Sequence, residues 1–289
     1  MISANLVKEL REKSGAGMMD CKAALAETNG DIEKALDYLR EKGIAKANKR
    51  AGKIASEGLA NIYIDGNKAV VVEVNSETDF VSQNEEFKAM VDEIGNALLK
   101  SDAKTIEEAN KAKTSDSTIG DLIIAKTAKI GEKLSFRRFE IVTKSDAEVF
   151  GPYLHLGGRI ATLIVLKGAN ETVAKDVAMQ AAAMKPSYLF SKDVPAEEVN
   201  RERSVIKEQA INEGKPADIA EKMVEGRIKK YFQEICLADQ AFIKENSIDI
   251  KTYVTNNGGE LVSMVRYEVG EGLEKRSEDF AAEVMKQIG

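Results

Sequence analysis

His155 is the only histidine among 289 residues, so a multi-histidine metal site is impossible and a histidine base has one candidate. A polar residue near a hairpin turn is the plainer reading of it. Cys21 and Cys236 form no Cys-x-x-Cys pair; they signal neither zinc nor a disulfide framework and fit a reducing cytoplasm. A phosphate-cradling loop needs spaced glycines ending in Lys-Ser or Lys-Thr, yet Gly52-Lys53 precedes Ile54 and Gly214-Lys215 precedes Pro216. Gly15-x-Gly17 and Gly270-x-Gly272 begin like a dinucleotide fingerprint, but the third position falls at Asp20 and Lys275 and neither follows a strand. Both read as helix boundaries. The acidic pairs Glu85-Glu86, Glu107-Glu108 and Glu197-Glu198 could supply acid and base. Adjacent residues on a helix point apart, so these are solvated faces. The Asn170-Glu171-Thr172 sequon is silent without export. No catalytic residue, metal or cofactor is expected.

The elements that carry these residues follow from apolar spacing. Leu6/Val7/Leu10, Met19/Ala23/Ala24 and Ile32/Ala35/Leu36/Leu39 mark three helices, punctuated by Gly15-Ala16-Gly17 and Asn29-Gly30, with Asp31 as an N-cap. The segment Arg40 to Lys53, with six basic side chains against Glu41 alone, reads as a solvated linker. Leu59–Ile64 and Ala69–Val74 alternate around an Asp65-Gly66 turn, which predicts a β-hairpin, followed by a helix with Phe87, Met90, Val91, Ile94 and Leu98. A second copy of this strand, strand, helix unit begins near Val149, with Ile160–Leu166 as its second strand and Asn170 capping its helix. From Pro195 to Ile235 two helices broken at Glu213-Gly214-Lys215-Pro216 form a charged antiparallel hairpin. Lys251–Val254 and Leu261–Val269 flank Asn257-Gly258-Gly259 as a further hairpin, and a last helix carries Phe280, Ala281, Val284 and Ile288.

Comparing the two hairpin-helix units isolates what folding does not demand. The polar connector of the first, residues 75–83, has nine residues against four in the second, residues 167–170, and the surplus contains Thr78-Asp79-Phe80-Val81. An aromatic residue in an otherwise polar loop is either a wedge meant for a partner or a staple on the following helix.

The totals narrow the partner. With 42 basic and 48 acidic side chains the net charge is −6, which offers no global attraction to phosphate backbones and makes nucleic acid a poor partner. The length favours two or more domains, and 31% charged with 6% aromatic residues leans towards helix. No N-terminal apolar stretch is long enough for a signal peptide or membrane span, so a cytoplasmic protein without membrane partners is expected.

Val74-Asn75-Ser76-Glu77-Thr78-Asp79-Phe80-Val81 resembles the signature of bacterial elongation factor Ts. Independent matches lie in Lys8-Glu9-Leu10-Arg11 with Gly15–Lys22, and in Arg266–Gly272 with Asp279–Val284, so the resemblance spans nearly the whole chain. It implies a multidomain α+β fold. A three-helix, ubiquitin-associated-like domain with its basic linker would occupy residues 1–54, and core subdomains with antiparallel sheets residues 55–143 and 144–190 with 237–270. A helical hairpin would occupy residues 191–236 and a C-terminal helical module residues 271–289.

The resemblance further implies guanine-nucleotide exchange on elongation factor Tu, the GTPase that carries aminoacyl-tRNA, in its GDP-bound and nucleotide-free forms. Thr78, Asp79, Phe80 and Val81 would enter that GTPase near its magnesium and phosphates. Arg11, Met18 and Met19 match family positions that touch the nucleotide-binding domain, although the two methionines suit a core equally well. His155 lies near a family histidine associated with the same interface. The hairpin is linked in the family to coiled-coil packing and, in some members, to a homodimer. Two other classes compete: a ubiquitin-associated-type adaptor using only the first domain, and a small-molecule enzyme using Asp79 or His155.

Overall fold

The computed structural model describes residues 2–214 and 216–275. It is α+β, with eleven α-helices among the described residues and small antiparallel sheets. Among the described residues the chain divides into two compact units, one built from residues 2–65, 69–141 and 267–275, the other from residues 66–68 and 142–266.

The first unit opens with three helices. α1 (Ala4–Ser14) is capped by Ser3, whose side chain accepts from the Leu6 N–H at 3.2 Å, and stops at Gly15 in the left-handed region. α2 (Met18–Glu27) and α3 (Ile32–Arg50) follow, the latter capped by Asp31 as expected, which accepts from the Lys34 N–H at 3.1 Å. Leu10, Cys21, Ala24, Leu25 and Ala35 are the fully buried centre of this bundle.

The stretch expected as a solvated linker is instead the second half of α3. Good helix formers propagate it to Arg50, and the one weak position, Gly43, is buried where α3 meets α7 (Ile119–Ile130). Arg40 reaches Asp121 of α7 at 2.8 Å, Lys46 reaches Asp20 of α2 at 3.1 Å and Arg50 reaches Glu77 at 3.2 Å, so the basic face is tied down at three points.

β1 (Glu57–Asp65), β2 (Lys68–Ser76) and β3 (Ser135–Thr143) form a three-stranded sheet in that order. Between β2 and β3 run α4 (Asp79–Gln83), α5 (Glu85–Leu99), α6 (Ile106–Asn110) and α7. The predicted apolar stripe of α5, Phe87, Met90, Val91, Ile94 and Leu98, packs on Val70, Val72 and Val74 of β2. The Tyr63 ring lies against Gly95, where a Cβ would come within 2.0 Å of it. Neither α6, α7 nor β3 is anticipated from the sequence. α6 is too short to show a period, and the consecutive Arg137-Arg138 break the apolar alternation of β3.

β2 is buried on both faces, which places Glu73 at zero exposure. Its carboxylate accepts from Arg137 Nη1 at 2.9 Å, Arg138 Nε at 2.5 Å, Asn75 Nδ2 at 3.1 Å and the Gly270 N–H at 2.9 Å. Burial would raise its pKa, but these bonds outweigh it and hold the carboxyl below the ordinary glutamate value.

In the second unit β4 (Glu148–His155) pairs antiparallel with β5 (Ile160–Lys167), in register from Glu148 opposite Lys167 to His155 opposite Ile160. α8 (Glu171–Met184) follows, capped by Asn170 as expected. α9 (Ala196–Asn212) and α10 (Ala217–Ile235) make the hairpin, with Ile206, Val224 and Ile228 buried between them and Arg203 paired with Glu225. β6 (Ala241–Phe242) pairs with β7 (Glu245–Asp249), then come α11 (Ile250–Asn256) and β8 (Glu260–Glu268), the latter beside β5 in the order β4-β5-β8.

The strand expected at Lys251–Val254 is therefore the helix α11. Asp249 caps it by accepting from the Thr252 N–H at 2.7 Å, and Ile250 and Val254 are buried one turn apart. The final helix expected to carry Phe280, Ala281, Val284 and Ile288 lies outside the described residues.

Candidate functional site

β2 passes the chain to α4 through Glu77 and Thr78, and this corner is densely bonded. Ser76 Oγ donates to the Thr78 carbonyl at 2.8 Å, and Thr78 Oγ1 caps α4 by accepting from the Val81 N–H at 3.4 Å. Ser82 Oγ donates to the Asp79 carbonyl at 2.7 Å, and Asn84 caps α5 by accepting from the Glu86 N–H at 2.7 Å. Residues 75–83 are thus not a polar loop: β2 takes the first two and α4 the last five. Two cap residues, Thr78 and Asn84, satisfy the donors that a loop would leave to water.

This turn of helix separates its side chains sharply. Val81 packs against the core of the first unit, and Ser82 is buried. Phe80 points the other way and is 86% exposed, the most exposed large apolar side chain among the described residues. Such exposure excludes the staple reading. Asp79 is exposed beside it, and its carboxylate has no partner among the described residues.

The corner is braced from across the unit by residues that sequence reasoning did not single out. The Glu132 carboxylate accepts from the Glu77 N–H at 3.1 Å, the Thr78 N–H at 3.0 Å and Thr78 Oγ1 at 2.7 Å. In return the Glu77 carboxylate, only 9% exposed, accepts from the Lys133 N–H at 2.6 Å and from Arg50 Nη1 at 3.2 Å. Glu77 lies within the signature-like run, but nothing in the sequence around Glu132 marks it as its partner.

The other predicted residues stand elsewhere. Met18 and Met19, at the start of α2, are 59% and 73% exposed and are not core residues. Arg11 is exposed in the last turn of α1, where its carbonyl accepts from the Gly15 N–H at 2.8 Å. His155 belongs to the second unit, at the end of β4 just before the turn Leu156–Gly158, with its Nδ1 3.2 Å from the Tyr153 hydroxyl. Leu156 beside it is 70% exposed and holds a positive φ of 49°.

No group of three or more His, Cys, Asp or Glu residues among the described residues could hold a metal ion. Both cysteines are buried, and burial pushes the Cys236 thiol up to about 12, far from a reactive thiolate.

A family model described as elongation factor TS matches residues 77–271, about two thirds of the chain. The chain belongs to the elongation factor Ts family. That family comprises translation elongation factors that exchange guanine nucleotide on elongation factor Tu, without covalent catalysis. Elongation factor Tu is accordingly its partner. The match begins at Glu77, so it includes α4, Glu132 and His155, while Arg11, Met18 and Met19 precede it. No helix among the described residues is long and apolar enough to cross a membrane.

Proposed function

We propose that α4 is the element by which this member of the elongation factor Ts family loosens nucleotide in elongation factor Tu, with Phe80 entering the GTPase near its magnesium and phosphates and Asp79 disturbing the groups that hold them. The observation that carries the reading is the contrast within one helical turn: Phe80 is 86% exposed while Val81 is anchored in the core. An aromatic ring so fully exposed is available for a partner to cover. Burying it in a partner contributes about 2 kcal/mol. An unpartnered carboxylate brought next to bound phosphates repels them or competes in the hydrogen-bond network of the ion.

Exchange then follows from linkage. A chain that prefers the nucleotide-free GTPase lowers nucleotide affinity by the same factor as nucleotide lowers its own, so each tenfold weakening of GDP needs about 1.4 kcal/mol of preference for the empty form. Arg11, Met18 and Met19 provide a second contact on the nucleotide-binding domain and His155 a third, which fix α4 in orientation.

Binding of the chain to elongation factor Tu, measured by calorimetry with and without GDP, tests this. Wild type should bind the nucleotide-free form far more tightly than the GDP form, and Phe80→Ala and Asp79→Ala should narrow the ratio. Equal ratios for wild type and both variants would remove α4 from the coupling.

A further inference from the structure

We infer that Glu132 is a positioning residue for nucleotide exchange: its carboxylate locks the base of α4 so that Phe80 is presented in one orientation. This rests on the reading of α4 as the element that enters elongation factor Tu.

The physical problem is that α4 has five residues. A helix so short cannot hold itself, because it forms scarcely one intrahelical bond beyond its nucleation cost. Val81 fixes one side chain of it in the core, but a single apolar anchor leaves the helix free to pivot. Glu132 removes that freedom by gathering three donors from the two residues just before α4, at 3.0 to 3.1 Å for the Glu77 and Thr78 N–H groups and 2.7 Å for the Thr78 hydroxyl. Hydrogen bonds to an ionised acceptor are roughly twice as strong as neutral ones.

Thr78 is thereby used twice, as donor to Glu132 and as cap to Val81, so the clamp is continuous with the helix it orients. Glu77 reinforces it in the opposite direction by holding the Lys133 N–H, and Arg50 at the end of α3 pairs with that largely buried carboxylate. The two carboxylates thus cross between the β2–α4 corner and the α7–β3 corner. Neither side chain is displayed for a partner as Phe80 is. A wedge held this way meets its target already oriented, and the loss of that order is felt in the rate of the exchange step.

The test is acceleration of fluorescent GDP release from elongation factor Tu by the full chain, with Glu132→Ala, Glu132→Gln, Phe80→Ala and the Glu132→Ala/Phe80→Ala double variant. Hydrogen exchange at the Thr78 and Phe80 amides is measured on the same proteins. Glu132→Ala should slow stimulated release by about tenfold and speed exchange at those amides, with the β1 and β2 amides unchanged. Glu132→Gln, which keeps an acceptor oxygen, should recover most of both. The double variant should lose clearly less than the sum of the two single losses, since Glu132 acts through the helix that carries Phe80 and Asp79. Full activity of Glu132→Ala alongside a defective Phe80→Ala overturns the positioning role and leaves the wedge standing, as do losses that simply add. An active Phe80→Ala removes the wedge and the positioning role with it.

Discussion

Phe80 and Val81 are consecutive residues in one turn of α4, yet Val81 packs against the core of the first unit and Phe80 is 86% exposed. Their substitutions should therefore separate stability from function. Val81→Ala should lower the unfolding free energy by about 1 kcal/mol, the cost of removing methyls from a partly buried site. Phe80→Ala should leave it unchanged within about 0.5 kcal/mol. Urea titration followed by circular dichroism measures both, and a destabilised Phe80→Ala would mean that the ring has a packing role.

Met18 and Met19 should behave like Phe80 rather than like Val81. At 59% and 73% exposure, Met18→Ala and Met19→Ala should leave the thermal midpoint unchanged and weaken capture of elongation factor Tu. Surface plasmon resonance reads the binding and scanning calorimetry the midpoint.

Glu73 makes stability depend on acid in a defined direction. Its folded pKa is held below the ordinary 4.5 by the Gly270 N–H, Arg137, Arg138 and Asn75 against the opposing effect of burial. The stabilisation is therefore complete above pH 4.5 and is lost as the pH falls below that value through the depressed folded pKa. Glu73→Gln should cost about 3 kcal/mol at neutral pH, because it leaves two arginines facing an uncharged group, and should flatten the acid limb. The comparison needs unfolding curves from neutral pH down to the acid transition.

Two helical glycines should respond oppositely to alanine. At Gly43 a Cβ would meet Ala128 Cβ at 3.6 Å, an ordinary contact, so Gly43→Ala should stabilise α3 by up to about 1 kcal/mol. At Gly95 a Cβ would lie 2.0 Å from the Tyr63 ring, and Gly95→Ala should cost about 2 kcal/mol. A neutral Gly43→Ala would argue that the second half of α3 is not helical in solution.

Much of this molecule is legible in its sequence, and the failures share a cause. Glycine punctuation and the caps Asp31 and Asn170 announce helices because each acts within four residues, and β1, β2, β4 and β5 announce themselves by apolar alternation or by short apolar runs. Where tertiary contact decides, local pattern misleads. The charges of Arg40 to Lys53 look solvated until Asp121, Asp20 and Glu77 pair with three of them. Lys251–Val254 look like a strand because the cap and the burial of Ile250 that make α11 lie just outside that window. At the site, the unusual run Thr78-Asp79-Phe80-Val81 is visible as excess residues, but pattern leaves staple and wedge open, and only the exposure of Phe80 separates them. Glu132 is invisible because its partners lie far along the chain.

The most direct measurement is the rate of fluorescent GDP release from elongation factor Tu when unlabelled GDP is in excess, comparing no factor, wild type and Phe80→Ala at matched occupancy of the complex. Wild type should accelerate release strongly, and Phe80→Ala, folded and bound, should lose at least about tenfold of that acceleration, equivalent to about 1.4 kcal/mol of barrier. A folded, bound Phe80→Ala that releases GDP as fast as wild type would contradict the assignment of α4 as the wedge.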